Sequence, residues 1–158
     1  PVKIPFEFTN RDSIPEGKNP GDCIVIKPIT VRTWFKIRPL LLEIEKEDID
    51  RMIVKEGELP EDFPELMNKY GELLLDVVCL GIHNKPNNPP EWFKQVLADN
   101  STWEDIRILF NAIIYRIGYH PFCTSITMLR NVSPLRETEI IAAQKNLQSW
   151  KDTTKADS

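Results

Sequence analysis

The segment Asp99-Asn-Ser-Thr-Trp-Glu-Asp-Ile-Arg-Ile-Leu-Phe-Asn-Ala-Ile-Ile-Tyr-Arg-Ile-Gly118 reads as one helix with both ends marked. Ser101 and Glu104 have the S-x-x-E spacing of a capping box, in which the hydroxyl accepts from one orphan amide and the carboxylate reaches back to another. Trp103, Ile106, Phe110, Ile113 and Ile117 then recur at three- and four-residue steps, so they share one stripe of a helix. Gly118 takes the left-handed turn that stops it. Nothing in the stretch suits catalysis. It reads as a packing element, with Trp103 in the core, where truncation to Ala costs ~3–5 kcal/mol.

The same pattern extends outward in both directions. Thr30 is an N-cap for a helix carrying Trp34, Ile37, Leu41 and Ile44, widened by Phe35 and Leu42, with a kink or break near Ile37 to Arg38 imposed by Pro39. Glu47 to Glu56 reads as a short polar helix ended by Gly57. Pro60 to Ile82 is the longest helical candidate, seamed by Leu66, Tyr70, Leu73, Val77 and Leu80, with an end near Gly81. Asn88, followed by Pro89, Pro90 and Glu91, starts a short helix through Ala98 that turns Trp92, Phe93 and Val96 inward. Beyond Gly118 the chain turns at His120-Pro121 and passes an ambiguous segment to Leu129. It restarts at the cap Ser133-Pro134, with Ile140, Ala143, Leu147 and Trp150 on one stripe.

The first residues follow a different period. Ile4, Phe6 and Phe8 alternate, and after the turn-rich stretch Arg11 to Asp22 comes Cys23-Ile24-Val25-Ile26, which predicts two short strands. The predicted fold class is mainly α: a compact helical domain of about five to seven helices with a short N-terminal β-ribbon. Residues 1–29 form the ribbon and loop as part of the same domain, 30–150 the helices and 151–158 a frayed tail.

Composition narrows the function. A length of 158 residues fits one core, and a formal charge of −4 with pI near 5.3 argues against nucleic acid as partner. No apolar run approaches the ~20 residues of a membrane span, and Pro1 to Asn10 lacks the regions of a signal peptide, so neither membrane insertion nor export by that route is expected. Cys23, Cys79 and Cys123 are odd in number and widely spaced, which suits free thiols in a reducing compartment.

Three constellations contain residue types suited to chemistry. Cys79 and His83 with His120 and Cys123 offer two thiols and two imidazoles, but the spacing is not that of a zinc site, and buried thiols with surface histidines are the simpler reading. Asp76, the one charge in an apolar run, reads as an ion-paired or outward-facing carboxylate. Glu43, Glu45, Glu47, Asp48 and Asp50 scatter over a solvated acidic face once placed on helices. Phosphate-loop, nucleophile-elbow and metalloprotease motifs are absent. The expectation is a protein with no catalytic, cofactor-binding or metal-binding residue, which works by surface recognition. Trp34, Phe35, Trp92, Phe93, Leu147 and Trp150, aromatic or apolar residues near helix ends, are the predicted partner-binding positions.

Taken in order, Ile24-Val25-Ile26-Lys27-Pro28-Ile29-Thr30-Val31, the apolar helix ending near Gly81, the Pro/Asn linker, the Trp-containing helix and the opening Asp99 to Ile106 resemble the tail assembly chaperones of long-tailed bacteriophages. The likeness covers about residues 22–118; Pro121 to Trp150 lies outside it. It implies a non-enzymatic protein of the host bacterial cytoplasm whose partners are the tape-measure protein and tail-tube protein, or itself, with apolar grooves that hold amphipathic helices. A structural virion component (connector, ring or tail-completion subunit, found in the virion) is the alternative reading, and a bacterial adaptor domain the second.

Overall fold

The computed structural model describes the backbone of residues 1–53, 57–132 and 137–156, and the side chains of that set except 137–140, 143 and 154–156. The fold is mainly helical, with a two-stranded antiparallel ribbon at its start. The chain divides into an N-terminal unit, Pro1–Gly118, and a C-terminal unit, Tyr119–Ser158, so the ribbon joins the first helices in one unit and the expected single helical domain 30–150 is split at Gly118.

Strand β1 (Val2–Pro5) pairs with β2 (Cys23–Ile26) in the register Val2 to Ile26 and Pro5 to Cys23. The period of two turns Ile24 and Ile26 into the core, where Phe6 and Phe8, with ring centroids 4.7 Å apart, join them. The long connection is pinned to the first unit's helices: the Asn10 amide donates to Asn100 Oδ1 at 2.8 Å, Asn100 Nδ2 returns a bond to the Asn10 carbonyl at 2.8 Å, and Ser13 Oγ donates to Asp99 at 2.5 Å.

Helix α1 (Val31–Leu41) begins as the sequence predicts, with the Thr30 hydroxyl accepting from the Thr33 amide at 3.2 Å. Pro39 does not break it. The proline lies in the last turn, where its missing N–H removes one bond just before the helix ends. Helix α2 (Lys46–Met52) starts one residue before the predicted polar helix and stops short of its expected end at Glu56, because Ile53 already leaves helical geometry at φ −77° and ψ 89°; residues 54–56 lie outside the described ones. Helix α3 (Phe63–His83) is 21 residues long and runs through Gly81, not to it. Its end is set by Asn84, which adopts φ 48° and donates its amide to the Leu80 carbonyl at 2.8 Å. The Asn84 side chain then ties the end of α3 to the start of α1, donating from Nδ2 to the Pro28 carbonyl at 2.8 Å and accepting from the Thr30 amide at 3.1 Å.

Helix α3 is the central element, touching β2, α1, α4 (Glu91–Asn100) and α5 (Trp103–Tyr115). Ile37 of α1, Val77 and Val78 of α3, Val96 and Leu97 of α4, and Ile106, Leu109 and Ile113 of α5 form the buried interior. Gly81 is where α3 and α5 come closest: a Cβ there would lie 2.5–2.8 Å from three side-chain carbons of Ile113. Gly118, at φ 82°, follows the last turn of α5 as predicted.

The capping box of α5 is displaced by one residue. Thr102 and Asp105 form it, with Thr102 Oγ1 accepting from the Asp105 amide at 3.2 Å and Asp105 accepting from the Thr102 amide at 2.9 Å. Ser101 already serves α4, its amide bonded to the Leu97 carbonyl at 2.9 Å, and Glu104 instead pairs with Arg107.

In the C-terminal unit, α6 (Tyr119–Val132) replaces the expected turn and ambiguous segment with a continuous helix, and none of its residues is buried. Helix α7 (Glu137–Ala156) continues as helix through the stretch expected to fray. The Ser133-Pro134 cap and the side chains of Ile140 and Ala143 lie outside the described residues. Among the described residues no helix is long and apolar enough to cross a membrane.

Cys79 is buried, and desolvation pushes its thiol up to about 12. A thiol so protected is a packing group, with negligible thiolate at neutral pH. Treatment of the native protein with iodoacetamide near pH ~8 is therefore expected to label Cys23 and Cys123, both partly exposed, and to leave Cys79 intact until denaturant is added. Mass spectrometry of the digest reads the result; labelling of Cys79 at the same rate as the others would contradict its burial.

Candidate functional site

Helix α3 carries two apolar stripes. Leu73, Val77 and Leu80 face the interior, while Phe63, Met67, Gly71 and Leu74 follow at four-, four- and three-residue steps on another side, bordered by Leu66 and Tyr70, which the sequence places in the interior seam. The second stripe is the floor of an open apolar groove of about 260 Å³, walled by Met52 at the end of α2, by Pro60 and by Trp103 at the first turn of α5. Two of the chain's three methionines line it. Met67 and Trp103 are 46% and 47% exposed, enough to meet a ligand while resting on the protein beneath.

Trp103 is thus not the core residue the sequence predicts. The capping box sets Trp103 as the first residue of α5, and from there the indole lies across Gly71, where a Cβ would come within 3.3 Å of it. Truncating Trp103 to Ala is expected to cost about 2 kcal/mol, roughly half of what a fully buried Trp loses. A loss above ~4 kcal/mol in urea denaturation would return the indole to the interior.

The α2 wall is held by charge. Its single buried residue is Asp48, whose carboxylate accepts from Lys69 Nζ at 2.6 Å, from the Tyr70 hydroxyl at 2.5 Å and from Arg51 at 2.9 Å. Lys69 also reaches Glu45 at 3.0 Å, and the Glu45 amide donates to the Tyr70 oxygen at 3.1 Å. Arg51 further engages Asp62 ahead of α3. The bonds from Lys69 first, and then from Tyr70, hold the Asp48 carboxyl below the usual range, and Asp48 in turn raises Lys69. Asp48 is therefore a buried hub instead of a member of a solvated acidic face. Helical placement alone does not reveal this, because its ligands lie 21 and 22 residues away.

Of the six predicted partner-binding residues, Trp34, Phe35, Trp92 and Phe93 lie in the N-terminal unit and Leu147 and Trp150 in the C-terminal unit. Trp34 is partly buried on the core, whereas Phe35 is half exposed with the Arg38 guanidinium 5.3 Å from its ring centroid. Trp92 and Phe93 pack edge to face at 4.6 Å and line a separate apolar cavity of about 210 Å³ with Phe8, Val25 and Ile82. Leu147 and Trp150 share the exposed side of α7, 62% and 72% accessible. The groove residues Met52, Phe63, Met67 and Gly71 were missed. For Phe63, Met67 and Gly71 the signal is the second α3 stripe, whereas Met52, on α2, has none in its local sequence.

Asp76 pairs with Lys94 at 3.0 Å, as an ion-paired carboxylate should. Cys79 and His83 both lie on α3, while His120 and Cys123 lie on α6 in the other unit. Among the described residues no group of three or more His, Cys, Asp or Glu is arranged to hold a metal ion.

No family model, curated protein or solved structure matches the chain. The groove itself therefore carries the functional reading.

Proposed function

We propose that this protein is a non-enzymatic assembly chaperone of the phage-tail type, which shields apolar helical segments of a tape-measure or tail-tube protein until they are built into a particle. The observation that carries the reading is the groove of Met52, Phe63, Met67 and Trp103, an exposed, methionine-rich apolar surface on a folded scaffold. Flexible thioether side chains repack around varied helices, the property a chaperone needs, and the helix-in-groove mode uses this shape. A further point in support is that the stretch resembling tail assembly chaperones ends at Gly118, where the N-terminal unit ends.

A structural virion subunit is the second reading, favoured by α6, whose Tyr119, Phe122, Ile126 and Leu129 are exposed at three-, four- and three-residue steps and suit burial against a neighbouring subunit. An affinity pull-down from infected or prophage-induced cells, with mass spectrometry of purified particles, separates the two. Recovery of a very long helical chain together with absence from particles supports the chaperone. Stoichiometric presence in particles overturns it in favour of the subunit.

A further inference from the structure

We propose that the groove between α2, α3 and α5 takes a cationic amphipathic helix, a specification that rests on the chaperone reading and narrows it to a partner chemistry. The shape argument comes first. From Phe63 to Leu74 the floor runs eleven steps along α3, or about 16 Å at 1.5 Å per residue, which accommodates roughly three turns of a helical ligand.

Charge around the groove selects the ligand's flanks. The segment Glu58-Leu-Pro-Glu-Asp-Phe-Pro-Glu65, which supplies Pro60 and Phe63 to the lining, contains four acidic residues and no basic one. Glu58 and Glu61 have no ion pair among the described residues, and Glu65 lies 3.8 Å from an Arg51 already engaged by Asp48 and Asp62. The neighbouring cations are committed likewise: Lys69 to Glu45 and Asp48, and Arg107 to Glu104 beside Trp103. An approaching helix thus meets an apolar floor flanked by a segment whose Glu58 and Glu61 carry no ion pair among the described residues. Lys or Arg on the ligand's flanks complements that edge, and Asp or Glu there is repelled.

The test uses the full chain and synthetic peptides of about 18 residues, long enough to be helical: an amphipathic Leu/Lys helix, the same helix with Glu for Lys, and a Leu/Lys scramble without an apolar face. Fluorescence anisotropy is expected to give binding of the Leu/Lys helix that is at least tenfold tighter than for the other two and weakens with added salt. Met67→Glu, at a half-exposed floor position, is expected to lose that binding at least tenfold with an unchanged far-ultraviolet circular dichroism spectrum. The pair Glu61→Lys and Glu65→Lys is expected to shift preference toward the Leu/Glu helix. Equal binding of the two charged helices, or full binding by the folded Met67→Glu protein, overturns the proposal. Its failure is separable from that of the chaperone reading. Recovery of a tape-measure chain from cells by the Met67→Glu protein removes the groove and keeps the chaperone, whereas peptide binding by a protein found stoichiometrically in particles keeps the groove and removes the chaperone.

Discussion

Replacing Gly81 by alanine is expected to destabilise the N-terminal unit by about 1–3 kcal/mol, although the same change in an open helix position adds up to ~1 kcal/mol of stability. The reversal of sign follows from the approach of α5. The new methyl carbon would sit 2.5 Å from Ile113 Cδ1 and 2.8 Å from both Cγ atoms, well inside van der Waals contact. Ile113 is completely buried and β-branched, so it has no free rotamer into which to retreat, and the two helices must separate. Ile113→Ala alone leaves a cavity and is expected to cost about 2–5 kcal/mol. The double variant removes all three clashing atoms as it adds the methyl, and its loss is expected to fall below the sum of the two single losses. Urea denaturation of the four proteins, followed by a probe in the N-terminal unit, closes this cycle. Additive losses, or a Gly81→Ala protein more stable than the parent, would show that α3 and α5 are farther apart than described.

Acid is expected to release α2 before it unfolds the rest of the N-terminal unit. Helix α2 has seven residues and buries no apolar side chain, so the bonds of Asp48 to Lys69 and Tyr70, with those of Glu45 to the same two residues, are what hold it to α3. The folded state lowers the Asp48 pKa from an ordinary 3.8, so the carboxylate's stabilisation is complete above that value and is lost as pH falls through the lower folded one. Lys69, whose pKa is raised, keeps its contribution at every pH below its ordinary 10.5 and loses it only in strong alkali. Protonation of Asp48 is thus the event that matters below about pH 4. Asp48→Asn is expected to produce the acid state at neutral pH: amides of Lys46–Met52 lose protection from hydrogen exchange while those of Val77 to Leu80 keep it. Because Met52 walls the groove, the Leu/Lys peptide is expected to bind that variant at least tenfold more weakly. Retained protection in α2 together with parental peptide affinity would mean that other contacts hold this helix.

The parts of the fold legible in the sequence are those written in local chemistry. The Thr30 cap, the strand Cys23–Ile26, the Leu73, Val77 and Leu80 part of the α3 seam and the stop at Gly118 depend on residues within a few positions of one another, and each is found where the sequence puts it, whereas Leu66 and Tyr70 of that seam line the groove. The misreadings arise where two local solutions compete or where distant residues decide. Ser101 with Glu104 and Thr102 with Asp105 have equivalent spacing. The tie is broken by α4, which uses the Ser101 amide for its own last turn. Gly81 resembles a helix terminator until Ile113, 32 positions on, is brought against it; the terminator is Asn84, three residues later. The predicted partner-binding residues follow a rule about helix ends, whereas the groove is built from the first half of α3 and one residue each from two other helices. Only tertiary packing brings Met52 and Trp103 to the same side of Met67.

The apolar side of α6 also bears on colloidal behaviour. Tyr119, Phe122, Ile126 and Leu129 face solvent on a helix whose one Lys, Arg, Asp or Glu is Arg130, so nothing on that helix repels a second molecule. Repulsion between molecules comes from the net charge of the whole chain, −4 at neutral pH, which vanishes near pH 5.3. The Asp48 carboxyl, held below its ordinary range, stays ionised there, so its bonds to α3 persist. The protein is therefore expected to be least soluble near that pH, and turbidity across a pH series reads the result.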